Sequence, residues 1–109
     1  MLIKELRNYP DTPKVLLPTT NGPPAIISPE DEAFLKTFTW RWKKSYHCSY
    51  VVTSWRYEQR VHTIQLHRLV AQTPPNMLGH HINHNTADNR RDNLRNMLEF
   101  DHIKFHSWR

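Results

Sequence analysis

Among 109 residues there is one cysteine, Cys48, and there are two glycines, Gly22 and Gly79. A single thiol excludes an intramolecular disulfide and any cysteine-based zinc site, and it fits a reducing compartment, so a cytoplasmic protein is expected. Two glycines beside 38% hydrophobic residues argue against both a disordered chain and a repeat array. An apolar run long enough to span a bilayer is lacking, as is a signal peptide with an apolar core, so no membrane partner is expected. Acid is the scarcer charge, 10 residues against 15 basic ones, for a net +5 and a pI near 9.7. The imbalance is local: between Lys36 and Arg68 only Glu58 opposes Lys36, Arg41, Lys43, Lys44, Arg56, Arg60 and Arg68. That excess favours a polyanion partner and places a phosphate-facing surface in this stretch. At this length the chain is one compact domain with a modest core.

Histidine is what the chain has in plenty. Five of its eight histidines fall between Gly79 and His106, in GHHINHNTADNRRDNLRNMLEFDHIKFH. Imidazole is the commonest metal ligand and titrates near neutral pH, so such a cluster binds metal, moves protons, or does both. His80 and His81 are adjacent; on an extended segment they point to opposite faces and cannot easily serve one ion together. His102 and His106 are four apart, which on a helix places both rings on one face at a chelating separation.

These residues resemble the HNH nuclease motif, the hairpin-plus-helix ββα-metal fold, with His81, Asn93 and His102 as its H, N and H. Asn85, Asp88, Asn89, Arg90, Arg91, Asn93, Leu94 and Arg95 resemble the corresponding pattern of phage and intron members, and His67 and Arg68 lie in a segment, LHRLV, that precedes the motif in those relatives. Phage and intron members usually carry Asp just before the first motif His, where this chain has His80. The nuclease colicins carry His there, together with a further His one turn past the last motif His, which here is His106. The resemblance implies a single divalent ion held by His80, His102 and His106, His81 as general base, and Asn93 holding His81 through its side-chain amide while fixing the loop. Imidazole ligands imply tight binding of Zn²⁺, Ni²⁺ or Co²⁺, with Mn²⁺ or Mg²⁺ able to support turnover.

Pattern along the chain completes the expected α+β architecture, a small N-terminal antiparallel sheet with short helices followed by the ββα-metal motif. Residues 1–23, with Pro10, Pro13, Pro18 and Pro23, read as an extended arm with at most a short strand at Val15–Leu17. Residues 24–72 read as a sheet and helix module that contacts DNA. It contains a strand at Ala25–Ile27 and a helix started by Ser28, Pro29 and Glu30-Asp31, with Phe34, Leu35 and Phe38 inward. Three antiparallel strands follow, with Trp40 and Trp42 in the core rather than stacked on bases and the basic side chains on the opposite face. A short helix over 66–72 ends before Thr73-Pro74-Pro75, with His67 read as a buried hydrogen-bonded side chain. Residues 73–109 hold the motif: strands over 79–83 and 93–97, a polar loop between them, and a final helix over about 98–107. His84 has no role in the motif and is expected at the surface.

The implied function is a metal-dependent endonuclease hydrolysing DNA, acting as a monomer or homodimer without a small-molecule cofactor. Its DNA-binding candidates are Lys43, Lys44, Arg56, Arg60, Arg68, Arg90, Arg91 and Arg95, of which at least one arginine of the motif is a candidate partner for Asp88 or Asp92. Two alternatives stay open: a catalytically inactive DNA-binding module stapled by zinc, and an RNA-directed nuclease.

Overall fold

The structure, a computed structural model, describes residues 12–98, and these form an α+β fold of three small antiparallel sheets and short helices. β1 (Val15–Leu17) pairs with β2 (Ala25–Ile27), so the sequence-based division at residue 23 passes through a hairpin. The connection between them closes on the edge of Trp42, whose ring N–H donates to the Pro23 carbonyl at 2.8 Å while its backbone N–H donates to Asn21 Oδ1 at 2.7 Å. Gly22 is needed for this approach: a Cβ there would stand 2.5 Å from Trp42 Cδ1.

Pro29–Asp31 form a 3₁₀ turn that runs into the one-turn helix α1 (Glu32–Leu35). Ser28 does not cap this helix with its side chain; its hydroxyl instead accepts the backbone N–H of Arg91 at 3.0 Å. Leu35 points inward as expected, but Phe34 is 56% exposed and meets Phe38 edge-on, a correction that follows from a helix of one turn, which has only one inward-facing row.

β3 (Arg41–Lys44), β4 (Ser49–Tyr57) and β5 (Arg60–Gln65) build the central three-stranded sheet in the order β3-β4-β5. Strand alternation sends Trp42, Val51 and Thr53 to one face and Arg41, Lys43, Tyr50 and Ser54 to the other. The first face joins the core of Leu17, Ala25, Ile27, Leu35, Trp40, Val51 and Leu66. Trp40 is 1% exposed and gives its N–H to the Leu35 carbonyl, so it is a core residue, while Trp42 is half-buried and packs against that core. The β4–β5 turn is Glu58-Gln59, both with left-handed φ (52° and 64°), the geometry of a two-residue primed turn built without glycine.

α2 (Leu66–Ala71) ends at Gln72 in the left-handed conformation and leads to β6 (Met77–His81), which pairs with β7 (Leu94–Leu98). Both strands of the expected motif hairpin are thus present, displaced by one or two residues from the sequence reading. The final helix of the expected motif, with His102 and His106, lies outside the described residues. Among the described residues no helix is long and apolar enough to cross a membrane.

Candidate functional site

Twelve residues, 82–93, connect β6 to β7, and the loop they form is held by side-chain amides and carboxylates rather than by regular structure. Asn93 ties its two ends together: its Oδ1 accepts the Asn83 backbone N–H at 3.0 Å, and its Nδ2 donates to Asn83 Oδ1 at 2.9 Å and to the Asp88 carbonyl at 2.7 Å. Asn83 Nδ2 donates to Asp88 Oδ2, and the side-chain oxygens of Asn83 and Asn85 accept backbone N–H groups two residues on. Such turns suit Asn and Asp because a short acceptor side chain reaches the backbone two residues ahead.

At the centre, Asp88 and Arg90 form a buried fork, with Arg90 Nε on Asp88 Oδ1 at 2.8 Å and Nη2 on Oδ2 at 2.7 Å. Burial pushes the Asp88 carboxyl up, but hydrogen bonds and charge from Arg90, with the Asn83 amide, hold it below the usual carboxylate range. The loop is docked on the N-terminal hairpin. Ile26 N–H donates to the Ala87 carbonyl, Asn89 N–H donates to the Ile26 carbonyl, and Arg90 Nη1 reaches the Thr12 carbonyl. Arg91 then pairs bidentately with Asp31.

This geometry places His81 at the end of β6, 5% exposed, its Nε2 2.9 Å from Asn89 Oδ1. The resemblance assigned the holding of His81 to the Asn93 amide. Here Asn93 fixes the loop, while the side chain on the His81 ring is Asn89. Spacing gave no sign of this, because the loop turns that bring residue 89 back to residue 81 are set by Asp88 and by the bridge to β2. Burial lowers the His81 pKa from its ordinary 6.5, partly offset by the Asn89 hydrogen bond and the Asp88 charge.

Two further rings lie against His81. His67, 4% exposed, is 4.7 Å away between centroids, and Tyr50 stacks at 6.3 Å while lying 5.2 Å from His67. Burial, with the neighbouring His81 and Arg68, depresses His67 to about 3, so its imidazole is neutral at working pH. Burial and a hydrogen bond with Cys48 push the Tyr50 phenol up to about 12. α2 can bring His67 this close to β6 only because residue 79 has no side chain: a Cβ on Gly79 would stand 2.6 Å from His67 Cδ2.

Tyr50 also lines the inner wall of a cleft of about 350 Å³ on the basic face of the central sheet, together with Lys43, Lys44, Thr63, Gln65 and Arg68. Lys43 and Lys44 are exposed there, as is Arg56 towards the hairpin tip, whereas Arg60, expected on the same face, is exposed on the other one as the cross-strand partner of Tyr57, and Arg95 is exposed opposite His80. Three of the arginines read as DNA contacts bond to groups of the protein itself, Arg91 while its side chain stays 55% exposed. Arg68 donates to the Met77 and Pro74 carbonyls, Arg90 is buried on Asp88, and Arg91 is held by Asp31. The exposed candidates for phosphate are accordingly Lys43, Lys44, Arg56, Arg60, Arg91 and Arg95, with Arg68 lining the cleft.

For metal ligation the described residues offer His80, half-buried on β6, with the exposed His84 edge-on at 5.3 Å between ring centroids. No three metal-ligating side chains converge among the described residues. His80 is one member of the expected ligand set, and its imidazole donor fits the borderline cations that the sequence implies. Scans of protein-family models, of curated proteins and of solved structures return no match to this chain.

Proposed function

We propose that the chain is a metal-dependent endonuclease of the HNH type that hydrolyses DNA phosphodiester bonds, with His81 as general base. One observation carries the reading, the orientation of the Asn89 amide. Its nitrogen faces the Thr86 and Ala87 carbonyls at 3.2 and 3.0 Å, groups that only accept, so its oxygen is the atom presented to His81. An amide oxygen only accepts in turn, so His81 Nε2 carries the proton and Nδ1 holds the free lone pair. Burial disfavours the imidazolium, which keeps that lone pair available at neutral pH. A general base needs its tautomer fixed by a second group, and a loop held by four Asn and Asp side chains supplies one.

Asn93 and Asp88 then act on position rather than on protons, keeping Asn89 aimed at the ring. The exposed lysines and arginines of the sheet face supply the charge that draws a phosphate backbone towards the cleft behind Tyr50. A divalent ion held by His80, His102 and His106 would stabilise charge on the scissile phosphate and the leaving oxygen.

A second reading, a DNA-binding module without catalysis, draws on the near-complete burial of His81, since a base has to meet the water it activates. Incubating supercoiled plasmid with the chain and Mg²⁺, Mn²⁺, Ni²⁺ or Zn²⁺, with and without chelator, separates the two. Metal-dependent nicking that His81→Gln abolishes is the expected outcome; plasmid that stays supercoiled with every metal leaves the binding module.

A further inference from the structure

Beyond the core, the β4–β5 hairpin carries large apolar side chains that the rest of the described fold does not use. Trp55 is 47% exposed and Tyr57 61% exposed. Both stand on one face of β4, at alternate positions, with His62 and Arg60 as their cross-strand partners. Trp55 and His62 lie nearly parallel, 5.6 Å between centroids and 20° between planes, and Tyr57 leans on the same imidazole at 6.3 Å. Arg56 lies between the two aromatic residues in sequence and projects to the other face, so guanidinium groups border the rings on both sides of the hairpin. Between Lys36 and Arg68 the sequence holds one acid, Glu58.

A hairpin that only had to close the sheet would need none of this. Aromatic rings in water at the end of a protruding ribbon stabilise the fold little, and clustered exposed apolar groups mark contact surfaces. The surrounding charge selects the occupant: cationic groups beside flat rings match a polyanion that carries its own rings. Within a duplex, base faces are covered by stacking and only their edges are presented in the grooves. A strand with unpaired bases leaves those faces open, and stacking on protein aromatics is then tolerant of sequence. Rings at alternate strand positions are about 6.8 Å apart, twice the base step of about 3.4 Å, so each can take a separate unstacked base.

We propose that the Trp55–Tyr57–His62 face of the β4–β5 hairpin is a stacking platform for unpaired bases, which makes single-stranded DNA, or duplex opened next to the cut, the preferred substrate. The inference rests on reading the chain as a protein that acts on DNA, and it names the state of that DNA. The rings hold one or two bases while Arg60, on the same face, contacts a flanking phosphate and Arg56 adds positive charge from the reverse face.

The test uses the full chain in chelator, so that binding is read without cleavage. Anisotropy of a fluorescein-labelled oligothymidine and of its duplex with oligoadenine gives both affinities. The single strand should bind more tightly than the duplex. Trp55→Ala and Tyr57→Ala should each weaken strand binding by about 5- to 150-fold and duplex binding by less than about 2-fold, with Trp55→Phe retaining most of the affinity. Variants that bind the strand as the parent does overturn the proposal. So does loss of dimer in sedimentation on either substitution, which would assign the face to a second copy of the chain. A plasmid-nicking assay on the same variants separates this inference from the nuclease reading. Aromatic-dependent strand binding without nicking keeps the platform and removes the nuclease; nicking with strand binding indifferent to Trp55 and Tyr57 does the reverse.

Discussion

Asn89 and His81 interact through one hydrogen bond whose direction is forced, and two experiments follow at that scale. Asn89→Ala should lower kcat by about 10²-fold, within the about 10²–10⁴ that general-base catalysis is worth, while the KM for plasmid stays within about twofold. The Thr86 carbonyl loses its donor in that variant, so a stability cost of about 1–3 kcal/mol in urea denaturation should accompany the loss of rate. His80→Asp replaces a nitrogen donor by oxygen and should shift metal preference towards Mg²⁺ and Mn²⁺ relative to Zn²⁺, measured by calorimetric titration. An unchanged preference would take His80 out of the ligand set. His81 stood out in the sequence as a candidate because imidazoles are rare enough for their spacing to carry meaning. Asn89 did not, since asparagine abounds in loops for turn chemistry alone and only the folded loop turns this one towards a ring.

Gly79 is an element-scale case, because the packing of α2 on β6 passes through the absence of its side chain. Gly79→Ala should cost about 1–3 kcal/mol by forcing His67 and the helix that carries it off the strand. Thermal melts monitored by circular dichroism check the size, and restored stability in a Gly79→Ala, His67→Ala double variant checks the cause. The strands at Val15–Leu17 and Ala25–Ile27 lie where they were expected, and the three antiparallel strands after them were readable from alternation and β-branched runs. The β4–β5 turn was not, because Glu58 and Gln59 carry no turn signature; the left-handed backbone they adopt is imposed by the pairing of nine- and six-residue strands on either side. Phe34 was misplaced for a related reason: a helix expected to reach residue 38 stops at residue 35, and the periodicity that pointed its ring inward never develops.

Charge and protonation act on the molecule as a whole. Binding to duplex DNA should fall with salt at a log–log slope of about −0.9 for each phosphate neutralised, so Lys43→Gln with Lys44→Gln should make the slope shallower by close to 2 if both lysines face the backbone. An unchanged slope would remove the cleft from the interface. Stability should also depend on pH from an unusually high starting point. His67 folds with a pKa of about 3 against an ordinary 6.5, so the unfolded chain takes up the proton first. Its contribution is complete above pH 6.5 and declines towards pH 3, at about 1.4 kcal/mol per pH unit. His81 shifts in the same direction, and Asp88, held low by Arg90, adds a loss that begins below its ordinary value. Urea midpoints at pH 7 and pH 5 should therefore differ, and His67→Gln should reduce the difference. The basic surface was legible from the charge imbalance alone. What the sequence hid was that the motif loop is braced by the first hairpin and the residues flanking it, through bonds from Arg90 and Arg91 that span 78 residues to Thr12, 63 to Ser28 and 60 to Asp31. That bracing has a consequence in time. On a ribosome adding about 5–20 residues per second, the first hairpin emerges and waits on the order of 3–16 s for its partner in the loop. The packing around His81 thus closes only after nearly all the described chain has been made, and a nascent fragment that ends before the loop carries the basic face without the His81–Asn89 pair.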